Sequence, residues 1–406
     1  MPEGDDAMHP LIELESRHCA RNYHPLPVVL VRGEGHYVWD DQGNRYLDMM
    51  SAYSAVSHGH AHPRIVEALV RQARSLNIVS RAFHSDRLAA FLERICRLTG
   101  QDMALPMNTG AEAVETALKA ARKWAWQAKG VPDGQQEIIA CEGNFHGRTI
   151  TICGLSAERQ YREGFGPFPP GLKTIPYGDA GALEAAITPH TAAFLVEPIQ
   201  GEGGIVIPPA GYLAACAEVC RRHNVMLIAD EVQTGLGRTG KLLACEHEGV
   251  KPDGLVLGKA LGGGVLPVSM FLARRELMEV FRPGDHGSTF GGNPLAAAVG
   301  LEALQVLEEE DLVSQSASKG AWLLEELRAI DSPLVREVRG RGLFIGIDID
   351  PARATARSIV EQLMARGLLS KETHETVVRL APPLAIPMPL LEWAVEELRA
   401  VLTDGG

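Results

Sequence analysis

The sequence predicts an α/β protein, a mostly parallel sheet covered by helices on both faces, joined to a smaller α+β region. Three observations carry this. Short β-branched runs alternate with long amphipathic segments through the middle of the chain. Those runs are apolar throughout instead of alternating, as strands buried on both faces are. Near Asp311 the pattern gives way to glycine-broken extended segments between helices. With 406 residues, the chain has length for two or three domains at about 150 residues each. A core of that size needs no disulfide or metal staples.

Taken in order, residues 1–50 are extended and turn-rich, with a hairpin expected around Gly43-Asn44 in VWDDQGNRYLD. They are expected to pack with the C-terminal region. An apolar run then meets LPMNTGAEA and opens into a helix over 112–129, whose apolar residues recur three and four apart around Val114, Leu118 and Ala121. Strands are expected over 138–141 and 192–196, a helix over 211–223, and a strand over 225–229 that ends at Asp230. Another strand, 255–257, stops just before Gly258 and Lys259, and 268–273 follows it. A helix over 293–307 has Asn293 as its cap and Pro294 at its first position. Beyond it come a helix (314–329), an extended stretch (334–350), a helix (352–366), the extended VVRLAPPL and a last helix from about Pro389. The organisation expected is an N-terminal segment (1–50), a large domain (51–310) and a C-terminal small domain (311–406).

Charge narrows the function. There are 39 Lys+Arg against 51 Asp+Glu, a net −12, which excludes broad binding of nucleic acid or anionic membrane. It leaves open a small anionic substrate, which two local arginines suffice to hold. The seven cysteines make no disulfide framework. Cys216 and Cys220 stand four apart without a second ligand pair, so reduced packing thiols are expected. The start, MPEGDDAMHP, is acidic and has neither an apolar leader nor an Arg-rich transit pattern, and no run approaches the roughly 18 apolar residues of a membrane span. A cytoplasmic enzyme is expected.

Three places carry chemistry. At Thr109-Gly110-Ala111 a strand-like run meets a helix N-terminus, where free N–H groups suit a phosphate, although Thr109 is equally a helix cap. Asp230 closes a buried strand, where a carboxylate requires a cation or a donor, or else caps the following turn. Lys259 follows the next strand; it either snorkels or is a desolvated amine able to bond an aldehyde. In open α/β sheets, ligands gather at such strand ends. An anion cradle, a partner for a ring nitrogen and an imine-forming lysine together suit pyridoxal 5′-phosphate.

The ordered blocks VWDDQGNRYLD, SAYSAVSHGH, LPMNTGAEAVETALKAARKW, NFHGRT, GFGPFPPGL, LVEPIQGEGG, IADEVQTGLGRTGK, LGKALGGG and HGSTFGGNPLA span nearly the whole chain. In them the sequence resembles the class III (ω-type) pyridoxal-phosphate-dependent aminotransferases. The resemblance implies the fold type I transferase architecture and a homodimer with its sites at the subunit interface. Lys259 would be the cofactor lysine and proton shuttle, and Asp230 would pair with the ring nitrogen. Phe145 would stack on the ring, and Gln233 would bond its phenolic oxygen. The phosphate would lie on the Thr109, Gly110 and Ala111 junction, reached by Thr289 of the neighbouring subunit. Arg148, with Tyr23, would take the substrate's distal carboxylate, and Arg379 the α-carboxylate of glutamate. Glu202 would gate Arg379, and Tyr53 would favour ornithine. The implied reaction moves the δ-amino group of L-ornithine to 2-oxoglutarate, giving glutamate 5-semialdehyde, which cyclises to pyrroline-5-carboxylate, and glutamate. Other ω-amine donors (N-acetylornithine, 4-aminobutyrate, lysine) are the nearest alternative; an amine-shifting mutase and a non-catalytic cofactor-binding module are more distant ones.

Two departures stand out. The family pattern after SAYSAV reads Asn-Gln-Gly-His, and here Ser57-His58-Gly59-His60 takes its place. His146 stands where the family often carries tryptophan, and no role is assigned to it. The His58, His60, His62 alternation has no nearby cysteine or acidic ligands, so no metal is expected.

Overall fold

The computed structural model describes residues 9–404. The acidic start of the chain, on which the cytoplasmic expectation rests, lies outside them but for His9 and Pro10. The extended reading of the N-terminal segment needs one correction. Pro10–His18 is a helix, capped by His9, with Pro10 at its first position and Arg17 and His18 in its last turn. No residue of it is buried, so it leaves no core-facing stripe for periodicity to detect. A meander follows: β1 (Leu30–Glu34), β2 (Tyr37–Asp40) and β3 (Arg45–Asp48). The turn between β2 and β3 is tied by Asp40, whose carboxylate accepts from Gln42 N, Asn44 N and the Tyr46 hydroxyl.

The centre is a seven-stranded sheet: β4 (Met103–Met107), β5 (Glu137–Cys141), β6 (Leu172–Ile175), β7 (Thr191–Val196), β8 (Met226–Asp230), β9 (Gly254–Leu257) and β10 (Ser269–Ala273). Its order is β4-β10-β9-β8-β7-β5-β6. All pairs are parallel except those of β10, which runs antiparallel to both β4 and β9. Every residue of β7, β8, β9 and β10 is buried, which is why these strands read as unbroken apolar runs. The helix Gly110–Gln127 covers one face through Val114, Ala117, Leu118 and Trp124. Asp230 pairs in register with Val256, so Lys259, just past the end of β9, emerges on the same edge of the sheet.

Beyond Asp311, β11 (Val335–Arg341), β12 (Phe344–Ile349), β14 (Lys371–Thr373) and β15 (Val377–Leu380) form an antiparallel sheet ordered β11-β12-β15-β14. The short β13 (Leu368–Leu369) instead joins the first sheet, parallel to β3, with Leu368 opposite Leu47. The beginning and end of the chain therefore share a sheet. Among the described residues no helix is long and apolar enough to cross a membrane.

One local feature lies outside every periodic pattern. Ser51, Ala52, Tyr53 and Ser54 have φ of 49°, 45°, 60° and 74°, a left-handed turn without a glycine. Each such residue costs about 1–2 kcal/mol, so the turn persists only if its surroundings hold it. Asp48 begins that work, its Oδ1 accepting from Met50 N and Ser51 N.

Candidate active site

The helix Gly110–Gln127 starts on a full capping box. Thr109 Oγ1 accepts from Glu112 N at 3.2 Å, and Glu112 Oε2 accepts from Thr109 N at 2.7 Å. Thr109's hydroxyl is thus committed to the cap, and the helix offers an anion the amides of Gly110 and Ala111. Space is reserved beside them: a Cβ on Gly110 would come within 3.1 Å of Val232, and one on Gly147 within 2.9 Å of Ala111. Val232 also lies 3.2 Å from where a Cβ of Gly258 would be. It is an apolar floor between the phosphate end and the lysine, and sequence reasoning passed over it.

Asp230 is 5% exposed and finds its partner within the protein. Its Oδ2 lies 2.7 Å from His146 Nδ1, and its Oδ1 accepts from Val232 N at 3.1 Å. His146, given no role by sequence, is therefore the partner of the strand-end carboxylate. Burial alone would lower the imidazole's pKa, but the bond to Asp230 and its charge outweigh this and raise it. Glu197, just past β7, completes the buried group, accepting from Phe145 N at 2.8 Å and Gly201 N at 3.1 Å. Burial, reinforced by Asp230 and opposed by His146, pushes its carboxyl up to about 7. Neighbouring Glu231 serves the fold, accepting from Ala244 N, Cys245 N and the Thr234 hydroxyl.

Lys259 sits in left-handed backbone, φ 45°, at the start of a short 3-10 turn that its own strand does not extend into. Among the described residues no ion pair or hydrogen bond engages its ammonium. Burial lowers its pKa and Arg379 adds to this, against the pull of Glu202, Asp230 and Glu197. A desolvated, unpaired amine beside a paired aspartate and an amide cradle fits pyridoxal phosphate in its donor set: anion site, ring-nitrogen partner and nucleophilic amine.

Arg379, on β15, is 1% exposed. Its Nη1 lies 2.6 Å from Glu202 Oε1 and donates to Gln233 Oε1 at 3.3 Å. Gln233 Nε2 in turn donates to Glu202 at 3.2 Å, so Gln233 belongs to the same closed cluster. Burial would raise the Glu202 carboxyl, but Arg379 holds it below the ordinary range. The half-buried Tyr53 ring covers the guanidinium, 4.8 Å from Cζ to centroid. Tyr23 is 75% exposed and lines one apolar cleft of ≈ 400 Å³ with Tyr53.

Arg148 stands with a different group. It is exposed and lies over the Tyr161 ring at 3.7 Å and the Phe145 ring at 5.1 Å. Phe145, Tyr161 and Glu202 share a second cleft. Thr289 is exposed, in a loop whose Ser288 accepts from Asn108 Nδ2 at 2.9 Å. The three alternating histidines turn to three different partners: His58 to Ala303 O, His60 to Asp48 and His62 to Glu310. A larger cleft, ≈ 560 Å³, opens where β8 and β9 begin, beside Val225, Lys251 and Arg274. It contains none of these groups.

A mostly parallel sheet whose strand ends present a desolvated lysine and a paired aspartate defines the class of protein. The aminotransferase class-III family model matches residues 18–402, and the chain belongs to that family. Its similarity to an ornithine aminotransferase of Halalkalibacterium halodurans is 58% identity over 97% of this chain and 98% of that one. The structure of the ornithine aminotransferase from Toxoplasma gondii superposes with a TM-score of 0.95 at 44% identity, over 97% of this chain and 94% of that one. An acetylornithine aminotransferase from Elizabethkingia anophelis superposes with a TM-score of 0.88 at 47% identity, over 97% and 98%.

Proposed function

We propose that this chain transfers the δ-amino group of L-ornithine to 2-oxoglutarate, yielding glutamate 5-semialdehyde, which cyclises to pyrroline-5-carboxylate, and glutamate. The observation that carries the reading is the closed Glu202–Arg379 pair beneath Tyr53. An ω-amine donor brings no carboxylate to that position, and glutamate does. An arginine neutralised by an internal carboxylate serves the first, and the same arginine released serves the second. The similarity to curated ornithine aminotransferases supports this donor.

Pyridoxal phosphate supplies, when bound, the aldehyde carbon and the ring that accepts electrons. The chain's residues do the rest. The Gly110 and Ala111 amides would hold its phosphate and Asp230 its ring nitrogen, with His146 fixing the carboxylate. Lys259 Nζ, with its pKa lowered, would move the proton of the donor carbon as general base and acid. Phe145 would cover the ring, with its backbone N–H bound by Glu197. Arg148, assisted by Tyr23, would hold the carboxylate at the far end of either substrate, and Arg379 the α-carboxylate of glutamate.

The assembly is a homodimer in this reading. Leu76, Ile78, Phe83 and Phe290 are exposed, and Asn77 O bonds Leu295 N, so these apolar side chains lie on neighbouring segments. A patch of that kind requires cover, and a second copy would carry Thr289 toward the phosphate it serves. Incubation of the enzyme with ornithine and 2-oxoglutarate should give pyrroline-5-carboxylate and glutamate in equal amounts. Absence of pyrroline-5-carboxylate defeats the proposal.

A further inference from the structure

Arg238 is a fully buried arginine, 0% exposed, that forms no ion pair among the described residues. Its Nη1 donates to the carbonyls of Leu343 at 2.8 Å and Pro382 at 2.7 Å, and its Nη2 donates to Ser57 Oγ at 2.9 Å. A buried cation whose hydrogen bonds all go to neutral acceptors, with the more distant charge of Asp48 to favour it, is a poor source of stability, so its presence calls for another reason. The bonds lead to one. Ser57 Oγ donates onward to the carbonyl of Ser54 at 2.8 Å, the last residue of the left-handed turn that carries Tyr53. The main chain brackets the same turn: Ala381 N donates to Met49 O at 2.6 Å and Leu384 N to Ser57 O at 2.8 Å. Both donors belong to the segment that leaves β15 after Leu380, the residue next to Arg379. The turn and the guanidinium beneath it thus share one frame, and the Ser57 hydroxyl is its side-chain link.

We propose that Ser57, held by Arg238, is a positioning residue that fixes the Tyr53 turn over Arg379 and thereby sets the preference for ornithine. The proposal rests on ornithine being the donor. Four left-handed non-glycine residues relax toward ordinary backbone when unsupported. Loss of the hydroxyl leaves an Arg238 N–H and the Ser54 carbonyl buried without partners, and Tyr53 moves with the turn. Arg379 has further holds of its own in Glu202, Gln233 and the pairing of β15, so the glutamate side of the cycle is spared.

The test compares holoenzymes of wild type, Ser57→Ala, Ser57→Thr, Arg238→Lys and Tyr53→Ile with ornithine, N-acetylornithine and 2-oxoglutarate. Ser57→Ala is expected to lower kcat/KM for ornithine about tenfold through KM, to reduce the ratio of ornithine to N-acetylornithine, and to leave KM for 2-oxoglutarate within about twofold. Ser57→Thr restores the ratio. Arg238→Lys keeps a charge but cannot span three acceptors, and shifts the ratio as Ser57→Ala does. A Ser57→Ala ratio equal to wild type while Tyr53→Ile lowers it overturns the positioning role and leaves the donor assignment standing. An equal loss with every substrate also overturns it, as a stability effect. Wild-type enzyme indifferent to ornithine defeats the donor assignment, and this proposal with it.

Discussion

The guanidinium of Arg379, 1% exposed, takes its counter-charge from Glu202. Glu202→Gln keeps the shape and removes the charge, leaving Arg379 to attract whatever carboxylate enters. The expected outcome is a fall of about tenfold in kcat/KM for ornithine, with glutamate gaining as donor, read from half-reactions with each donor. Glu197 makes a prediction about pH. Its folded pKa of about 7 lies above the ordinary carboxylate value, so the folded state keeps a proton that the unfolded chain has released. Its contribution is whole below the ordinary carboxylate pKa and is lost as pH rises through about 7. Glu197→Gln should flatten the decline of melting temperature between about pH 5 and about pH 8. His146, also raised, contributes in the same direction and leaves a residual slope. Asp230 and Lys259 were legible in the sequence because each closes an apolar run, and a polar group there has few explanations. His146 was not, since its partner lies 84 residues away and only the fold brings them together.

Elements differ in how plainly they declare themselves. The strands of the central sheet did so because burial on both faces leaves only apolar residues, and Asn293-Pro294 announced its helix by cap chemistry that the structure repeats, Asn293 Oδ1 accepting from Ala296 N. The Pro10–His18 helix faces solvent and left no such stripe. The left-handed turn at Ser51–Ser54 was illegible for a different reason: nothing in SAYS signals positive φ, which is imposed by Asp48, Ser57 and the segment after Arg379. At Thr109 the cap and the proposed anion site are one structure. Thr109→Ala should destabilise the protein by about 1 kcal/mol in denaturant titration, and should weaken cofactor retention through the loosened Gly110 and Ala111 amides.

Over the whole molecule, the pairing of β13 with β3 ties the first and last parts of the chain together, while the strand ends of the central sheet hold the chemistry. Net charge gave no hint of the substrate: −12 overall coexists with Arg148 and Arg379, the two arginines proposed to hold it. A dimer that completes each site with Thr289 of the partner should show a melting temperature that rises with protein concentration, and Thr289→Ala should lose cofactor on dilution more readily than wild type. The most direct measurement is a donor panel with 2-oxoglutarate as acceptor, comparing kcat/KM for ornithine and N-acetylornithine and assaying pyrroline-5-carboxylate. The Tyr53 ring over Arg379 and the similarity to ornithine aminotransferases predict ornithine ahead by about tenfold or more, with pyrroline-5-carboxylate formed in step with glutamate. N-acetylornithine equal or ahead, or glutamate formed from ornithine without pyrroline-5-carboxylate, would contradict it.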